Sequence, residues 1–305
     1  MCKKFIIVLS FTLLFSLAGC SGTNNSNVNT GNSTTLSPKE NVTTISKQES
    51  DNNLPQYFLK LTGDRPFGIA FDNKSIMYMI TAPSSGSGKL LTVDAAAKIT
   101  EIATLDGSFI GPGIDIDRDG NAYVTVGDKL LKITQKGKSE IIAEGFSCSF
   151  DVKLDLKGNI YVSDASEDTI YKINALKEKK VFYKGSEIGS FTFTGLSFDK
   201  SYDTLYAVEN GKILKFHIKT DGSAEKPEVA VNDVPDSRYI DIDNDNNIYV
   251  STGSNVMKIT SDGQKINITD KVANSIGFSL AGRGFGDNCL FVAVADGIAK
   301  LPLSK

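Results

Sequence analysis

The sequence predicts an all-β chain, a six-bladed β-propeller closed by an N-terminal strand that completes the last blade. Three observations lead there. A hairpin unit recurs, marked by an aromatic residue at Tyr78, Tyr123, Tyr161, Tyr206, Tyr249 and, more loosely, Phe291, at gaps of 45, 38, 45, 43 and 42 residues. A period of roughly 40–50 residues carrying several strands is that of a propeller blade. Each marker from Tyr123 onward is followed by an apolar-Lys-apolar strand, its Lys nine residues on in four units and eleven in the Tyr161 unit. The two ends of the repeat are complementary: the sixth unit stops after its third strand, and a spare strand, Tyr57-Phe-Leu-Lys-Leu-Thr62, precedes the first.

Within a unit, Gly113-Ile-Asp-Ile-Asp-Arg-Asp-Gly-Asn-Ala-Tyr-Val-Thr125 shows the order of elements. Ile114 and Ile116 alternate with polar residues, the period of a strand. Asp117-Arg-Asp-Gly-Asn121 is a turn, because Asp and Asn bond nearby backbone and Gly accepts positive φ. Ala122-Tyr-Val-Thr125 is β-branched and aromatic, which suits a second strand. The turn Asp recurs at Asp72, Asp155, Asp199 and Asp243, four residues after Gly68, Asp151, Gly195 and Tyr239. The third strand reads Leu131-Lys132-Ile133 and its counterparts, with Leu90-Leu-Thr-Val93 departing in the first unit. Fourth strands are expected at Glu101–Thr104, Glu140–Ala143, Lys180–Tyr183, Glu228–Val231 and Lys265–Ile268. Closing the ring through Tyr57–Thr62 leaves the last blade no open edge, and each Leu or Phe buried there contributes roughly 1.5–3 kcal/mol.

Ahead of the repeat lie two segments of different character. Met1-Cys-Lys-Lys4 is basic, and Phe5 to Leu17 is an apolar run too short to span a bilayer comfortably. It ends in Leu17-Ala-Gly-Cys20, which resembles the lipobox of bacterial lipoproteins. That resemblance implies a signal peptide over 1–20, which is no part of the fold. It further implies a diacylglyceryl thioether on Cys20, palmitate among the acyl chains, and a protein held on the outer side of the cell membrane. Residues 21–55 are rich in Ser, Thr and Asn and poor in aliphatics, so they form a disordered tether. Residues 56–305 form the ring.

The net charge of −3, from 33 basic and 36 acidic residues, argues against nucleic acid, which requires a basic face. Cys148 and Cys289 fall three units apart, on opposite sides of a six-unit ring, too far for a disulfide. No C-x-x-C is present. The chain is expected to be a monomer.

The Gly-apolar-x-apolar-Asp-x-x-Gly-Asn-x-Tyr-Val pattern resembles NHL-type repeats and the six-bladed SMP-30/gluconolactonase-like propellers along the whole ring. Many activities share this fold. In the lactonase-like members a divalent metal sits at the centre of one face, held by Glu, Asn and Asp side chains just before the Gly of inner strands. Here those places hold Phe67, Pro112, Phe150, Thr194, Arg238 and Asn274. No carboxylate is among them, and a hard cation needs several oxygen ligands. No metal and no other cofactor is therefore expected there. A divalent cation stays open only among the loop carboxylates Asp164, Glu167, Asp168, Glu209 and Asp296, which otherwise are solvated loop charges. Asp115-x-Asp117-x-Asp119 resembles half of a calcium loop, but its twelfth position is Val126; it reads as a hairpin turn.

Innermost strands line a central channel, where Asp115, Lys153 and Asp241 form either a polar collar or the wall of a water-filled passage. Phe67, Phe109, Phe146, Phe150, Phe191, Phe193 and Tyr239 gather in the loops that lead into those strands. They make an apolar cup beside Arg238 for an anionic or carbonyl-bearing small molecule or a peptide end, or they fill gaps between blades. The single histidine, His217, has no nucleophile partner, so the histidine-dependent chemistry of virginiamycin-lyase-like and quinoprotein-like propellers is not expected. The reading is a lipid-anchored extracytoplasmic binding module for a small molecule, a wall fragment or an envelope protein. Its candidate ligand-binding residues are Phe67, Phe150, Thr194, Arg238, Asn274, Asp164 and Glu209. The alternative is a divergent SMP-30/gluconolactonase-like metal-dependent hydrolase.

Overall fold

The computed structural model describes residues 56–83, 86–107, 109, 111–185, 192–253, 255–270, 272, 277–280, 285 and 289–303. Cys20, the signal segment and the tether lie outside these residues, as do Asn274 and Phe191. The described residues form 24 strands and no helix. The first strand, β1 (Gln56–Lys60), leaves its sequence neighbours. Blade 1 follows as β2 (Asp64–Phe71), β3 (Met77–Pro83), β4 (Gly88–Val93) and β5 (Ile99–Leu105). Blade 2 is β6 (Ile114–Ile116), β7 (Ala122–Val126), β8 (Lys129–Ile133) and β9 (Ser139–Glu144). Blade 3 is β10 (Ser149–Leu154), β11 (Ile160–Asp164), β12 (Thr169–Ile173) and β13 (Lys179–Lys184). Blade 4 is β14 (Phe193–Phe198), β15 (Thr204–Glu209), β16 (Lys212–His217) and β17 (Glu228–Val231). Blade 5 is β18 (Ile240–Ile242), β19 (Ile248–Thr252), β20 (Asn255–Ile259) and β21 (Lys265–Thr269). Blade 6 is β22 (Gly277–Leu280), β23 (Cys289–Val294), β24 (Gly297–Pro302) and, as its fourth strand, β1.

The blade hairpins explain the marker pattern. Tyr123, Tyr161, Tyr206, Tyr249 and Phe291 stand directly opposite Lys132, Lys172, Lys215, Lys258 and Lys300. In four of these pairs the ammonium lies over the ring, 5.1–5.7 Å from its centroid. Such a contact contributes about 0.5–1 kcal/mol at exposed sites. The repeating Lys is thus the cross-strand partner of the repeating aromatic.

The core lies between blades. Six buried clusters bridge neighbours, for instance Tyr161 and Ile170 of blade 3 with Leu196, Leu205 and Phe216 of blade 4. The cluster between blades 5 and 6 also takes in Phe150 from across the ring. The cluster between blades 6 and 1 closes the circle. There β1 pairs antiparallel with β24, Leu59 opposite Ile298 and Lys60 opposite Gly297. Phe58 packs edge-on against Phe285 at 5.4 Å and Phe291 at 5.2 Å. The Tyr57 hydroxyl donates to Asp296 at 2.7 Å. Gly297 must be glycine, since a Cβ there would lie 2.1 Å from the Leu59 carbonyl oxygen.

One face, called lower here, carries the first-to-second-strand turns. Asp117 accepts from the amides of Asp119 and Asn121 at 3.0 and 2.8 Å; Asp155 and Asp243 repeat the arrangement at 2.8–2.9 Å. The calcium-loop resemblance is therefore a hairpin turn, with Asp117 spent on backbone. The opposite, upper face carries the loops leading into β2, β6, β10, β14, β18 and β22.

Candidate functional site

The upper end of the channel is shaped by how closely the inner strands approach. A Cβ on Gly68 would lie 2.6 Å from the Pro112 carbonyl oxygen. On Gly113 it would lie 2.5 Å from the Asp151 Cα, on Gly195 2.6 Å from the Arg238 carbonyl oxygen, and on Gly277 2.4 Å from that of Phe67. Real Cβ atoms do not approach backbone so closely, so these four repeats require glycine for space. The third and fifth units carry Asp151 and Tyr239 at this position. Those two side chains are what the repeat adds to the channel.

Below the mouth is a charged cage. Asp115 accepts from Ile116 and, across the blade boundary, from the Leu154 amide at 2.8 Å. Asp151 does the same with Val152 and Leu196, and Asp241 with Ile242 and Leu280. Each carboxylate thus ties one inner strand to the next. Lys153 sits among the three. Burial alone would lower its pKa; the carboxylates of Asp151, Asp115 and Asp241 outweigh burial and raise it. Burial pushes Asp115 up to about 6 against the pull of Lys153, and raises Asp151 in the same way.

Above the cage, the Phe150 and Tyr239 rings meet at 5.3 Å, from blades 3 and 5. Phe150 and Tyr239 are 1% and 5% exposed, so they cap the channel rather than lining an open cup. Arg65 lies with its guanidinium 5.9 Å from the Phe67 ring centroid. The charges of Arg238 and Arg65 both act on the Tyr239 phenol, whose pKa burial raises; burial lowers that of Arg65. Four polar atoms here are buried without a hydrogen-bond partner among the described residues: Arg65 Nε, Thr81 Oγ1, Thr194 Oγ1 and the Tyr239 hydroxyl. Ser237 Oγ is a fifth, close to them in sequence. Such groups are rare in native proteins and ask for an explanation.

The sequence-derived candidates separate into groups. Phe67 is half-buried, Arg238 exposed and Thr194 buried, all at the mouth. Phe150 is packed under Tyr239, and Gly111 lies against it. Asp164 is a correction. It ends β11, is fully buried, and accepts from the amides of Ser147, Cys148, Ser166 and Glu167, so it holds its loop and is not open to a ligand. Glu209 is 4% exposed and pairs with Lys212 at 2.9 Å, again a structural role. Arg65 escapes the sequence reading because it lies two residues before the position compared between repeats. Tyr239 is legible as a break in the glycine pattern.

Metal binding does not fit the mouth. The donors described there are guanidinium, phenol and hydroxyl groups, and two arginines oppose a cation. Among the described residues no group of three His, Cys, Asp or Glu side chains is placed to hold a metal ion. His217 is exposed on β16, its ring nitrogen 3.1 Å from Thr204 Oγ1. Cys148 and Cys289 are buried and form no disulfide.

No family model matches this chain, and no curated protein matches it. Solved structures do. A gluconolactonase from Xanthomonas campestris superposes with a TM-score of 0.66 at 14% identity, over 83% of this chain and 96% of that one. A luciferin-regenerating enzyme gives 0.60 at 15%, over 80% and 92%. Virginiamycin B lyase from Staphylococcus aureus gives 0.55 at 18%, over 81% and 88%. Identities this low show the fold alone, a six-bladed β-propeller.

Proposed function

We propose that the protein is a binding module, anchored through lipid on Cys20 to the outer side of the cell membrane, that takes a small molecule, wall fragment or envelope protein at the upper face. The observation that carries this reading is the channel mouth. Among the described residues it gathers unpartnered polar groups beside two arginines and a half-buried aromatic ring, and it lacks the carboxylate set of a hydrolytic metal site. The likeness to gluconolactonase structures favours a second reading, a divergent metal-dependent hydrolase that places its cation elsewhere.

One preparation tests both. Full-length protein from membranes is screened by thermal shift against neutral sugars, carboxylates and wall peptides, and assayed for lactone hydrolysis with and without chelator. The binding reading expects stabilisation by a ligand class with no chelator-sensitive hydrolysis. Stoichiometric metal with chelator-sensitive turnover would replace it by the hydrolase. Palmitate label retained by Cys20→Ser protein would remove the anchor.

A further inference from the structure

We propose that Arg65 and the Tyr239 hydroxyl, with Arg238 at the rim, form a recognition site for the carboxylate of a small aromatic or apolar acid. This rests on the binding reading above and names its ligand class. The geometry comes from the one unit in which a tyrosine replaces the glycine of its counterparts. Tyr239 stands where Gly68, Gly113, Gly195 and Gly277 have no side chain, and its ring is fixed against Phe150. Its hydroxyl is buried and neither accepts nor donates a hydrogen bond among the described residues.

Arg65 reaches the same place from blade 1, with Nε buried and unpartnered among the described residues. A phenol kept protonated by burial is a donor, and a guanidinium is only a donor. The site therefore offers hydrogens and positive charge and calls for an acceptor anion. The nearby Asp151 does not cancel this, because its carboxylate is bonded to the Val152 and Leu196 amides and faces Lys153. Arg65, Phe67 and Arg238 are the members still in contact with solvent. Phe67, alongside the Arg65 guanidinium, supplies an apolar wall for the body of the acid.

The test is calorimetric titration and thermal shift of the full-length protein with benzoate, acetate, inorganic phosphate and neutral benzamide, using wild type, Arg65→Gln and Tyr239→Phe. Benzoate is expected to bind and raise the melting temperature of wild type more than acetate, with benzamide inert. Tyr239→Phe should weaken benzoate about tenfold, the loss of one hydrogen bond to a charged group. It should do so without lowering the melting temperature of the free protein. Arg65→Gln should abolish the effect. Equal benzoate affinity in all three proteins overturns this site while leaving a ligand-binding ring. Stabilisation by neutral members of the screen alone, or by phosphate alone, does the same. No stabilisation by any of the four probes overturns this site, and the binding reading then stands or falls by its own screen of sugars and wall peptides.

Discussion

At the lower face Asp155 closes its turn by accepting from the Lys157 and Asn159 amides, and Asp117 and Asp243 do likewise. At the upper face the Tyr239 hydroxyl, Thr81 Oγ1 and Thr194 Oγ1 are buried with nothing to bond among the described residues. The lower turns of blades 2, 3 and 5 thus satisfy themselves, whereas these three hydroxyls at the upper face stay unsatisfied among the described residues. A local turn satisfies itself, because three or four residues supply both donor and acceptor. The mouth is assembled from four blades, and its unmet groups carry the capacity to bind.

Glycine gives the sharpest way to break this contrast. Gly195, at the upper end of β14, is required for space: an added Cβ would stand 2.6 Å from the Arg238 carbonyl oxygen and 2.8 Å from the Tyr239 Cα. Gly195→Ala is expected to cost about 3 kcal/mol by urea denaturation, because backbone cannot move aside. Gly158, in a lower turn, is required only for its φ of 79°, and Asn246 holds the matching place in blade 5 at 60°. Gly158→Asn should cost less than about 1 kcal/mol. Equal costs would refute the distinction.

Two aspartates of one hairpin should titrate with opposite sign. Burial pushes Asp117 up, but the Asn121 bonds and Lys132 outweigh it and hold its pKa below the ordinary value. Its contribution is present above the unfolded pKa and is lost as pH falls through the folded one. Asp115, in the cage, is held up at about 6. Its folded form binds the proton more tightly than the unfolded chain, so stability falls as pH rises from about 4 to about 6, by about 2 kcal/mol. Denaturation midpoints across that range should lose this slope in Asp115→Asn and keep it in Asp117→Asn.

The smallest effect is a pair of identical substitutions. Thr260 Oγ1 accepts from the Gln264 amide at 2.9 Å in a lower turn, so Thr260→Val should lose about 0.5–1 kcal/mol. Thr81, fully buried at the upper end of β3, has a hydroxyl with no partner among the described residues, so Thr81→Val should gain about as much. Thermal unfolding of the two variants in opposite directions would confirm that the faces differ in kind.

What is legible in the sequence follows the same division. The lower turns are readable because Asp, Gly and Asn act within five residues, and the register of Tyr123 on Lys132 follows from spacing along one hairpin. The closing strand is readable by counting, since one unit lacks a strand and one strand lacks a unit; its observed span is Gln56–Lys60. The collar of Asp115, Lys153 and Asp241 is legible from alternation on the inner strands, but not the membership of Asp151, nor that Asp115 reaches the Leu154 amide of the next blade and Asp151 that of Leu196. No spacing encodes such contacts. Asp164 misleads because a carboxylate at a strand end looks the same whether it faces solvent or caps its own loop.

The seam of β1 on β24 also sets the order in which the molecule is made. Gln56 pairs with Lys300, so the first strand of the ring to be made waits for the last, which already has β23 on its other side, before it gains a partner. Five blades are able to stack as they emerge, each on the one before, while Phe58 and Leu59 stay uncovered until translation is nearly done. A chain that stops before β24 leaves that early strand a bare edge, open to pairing with other chains.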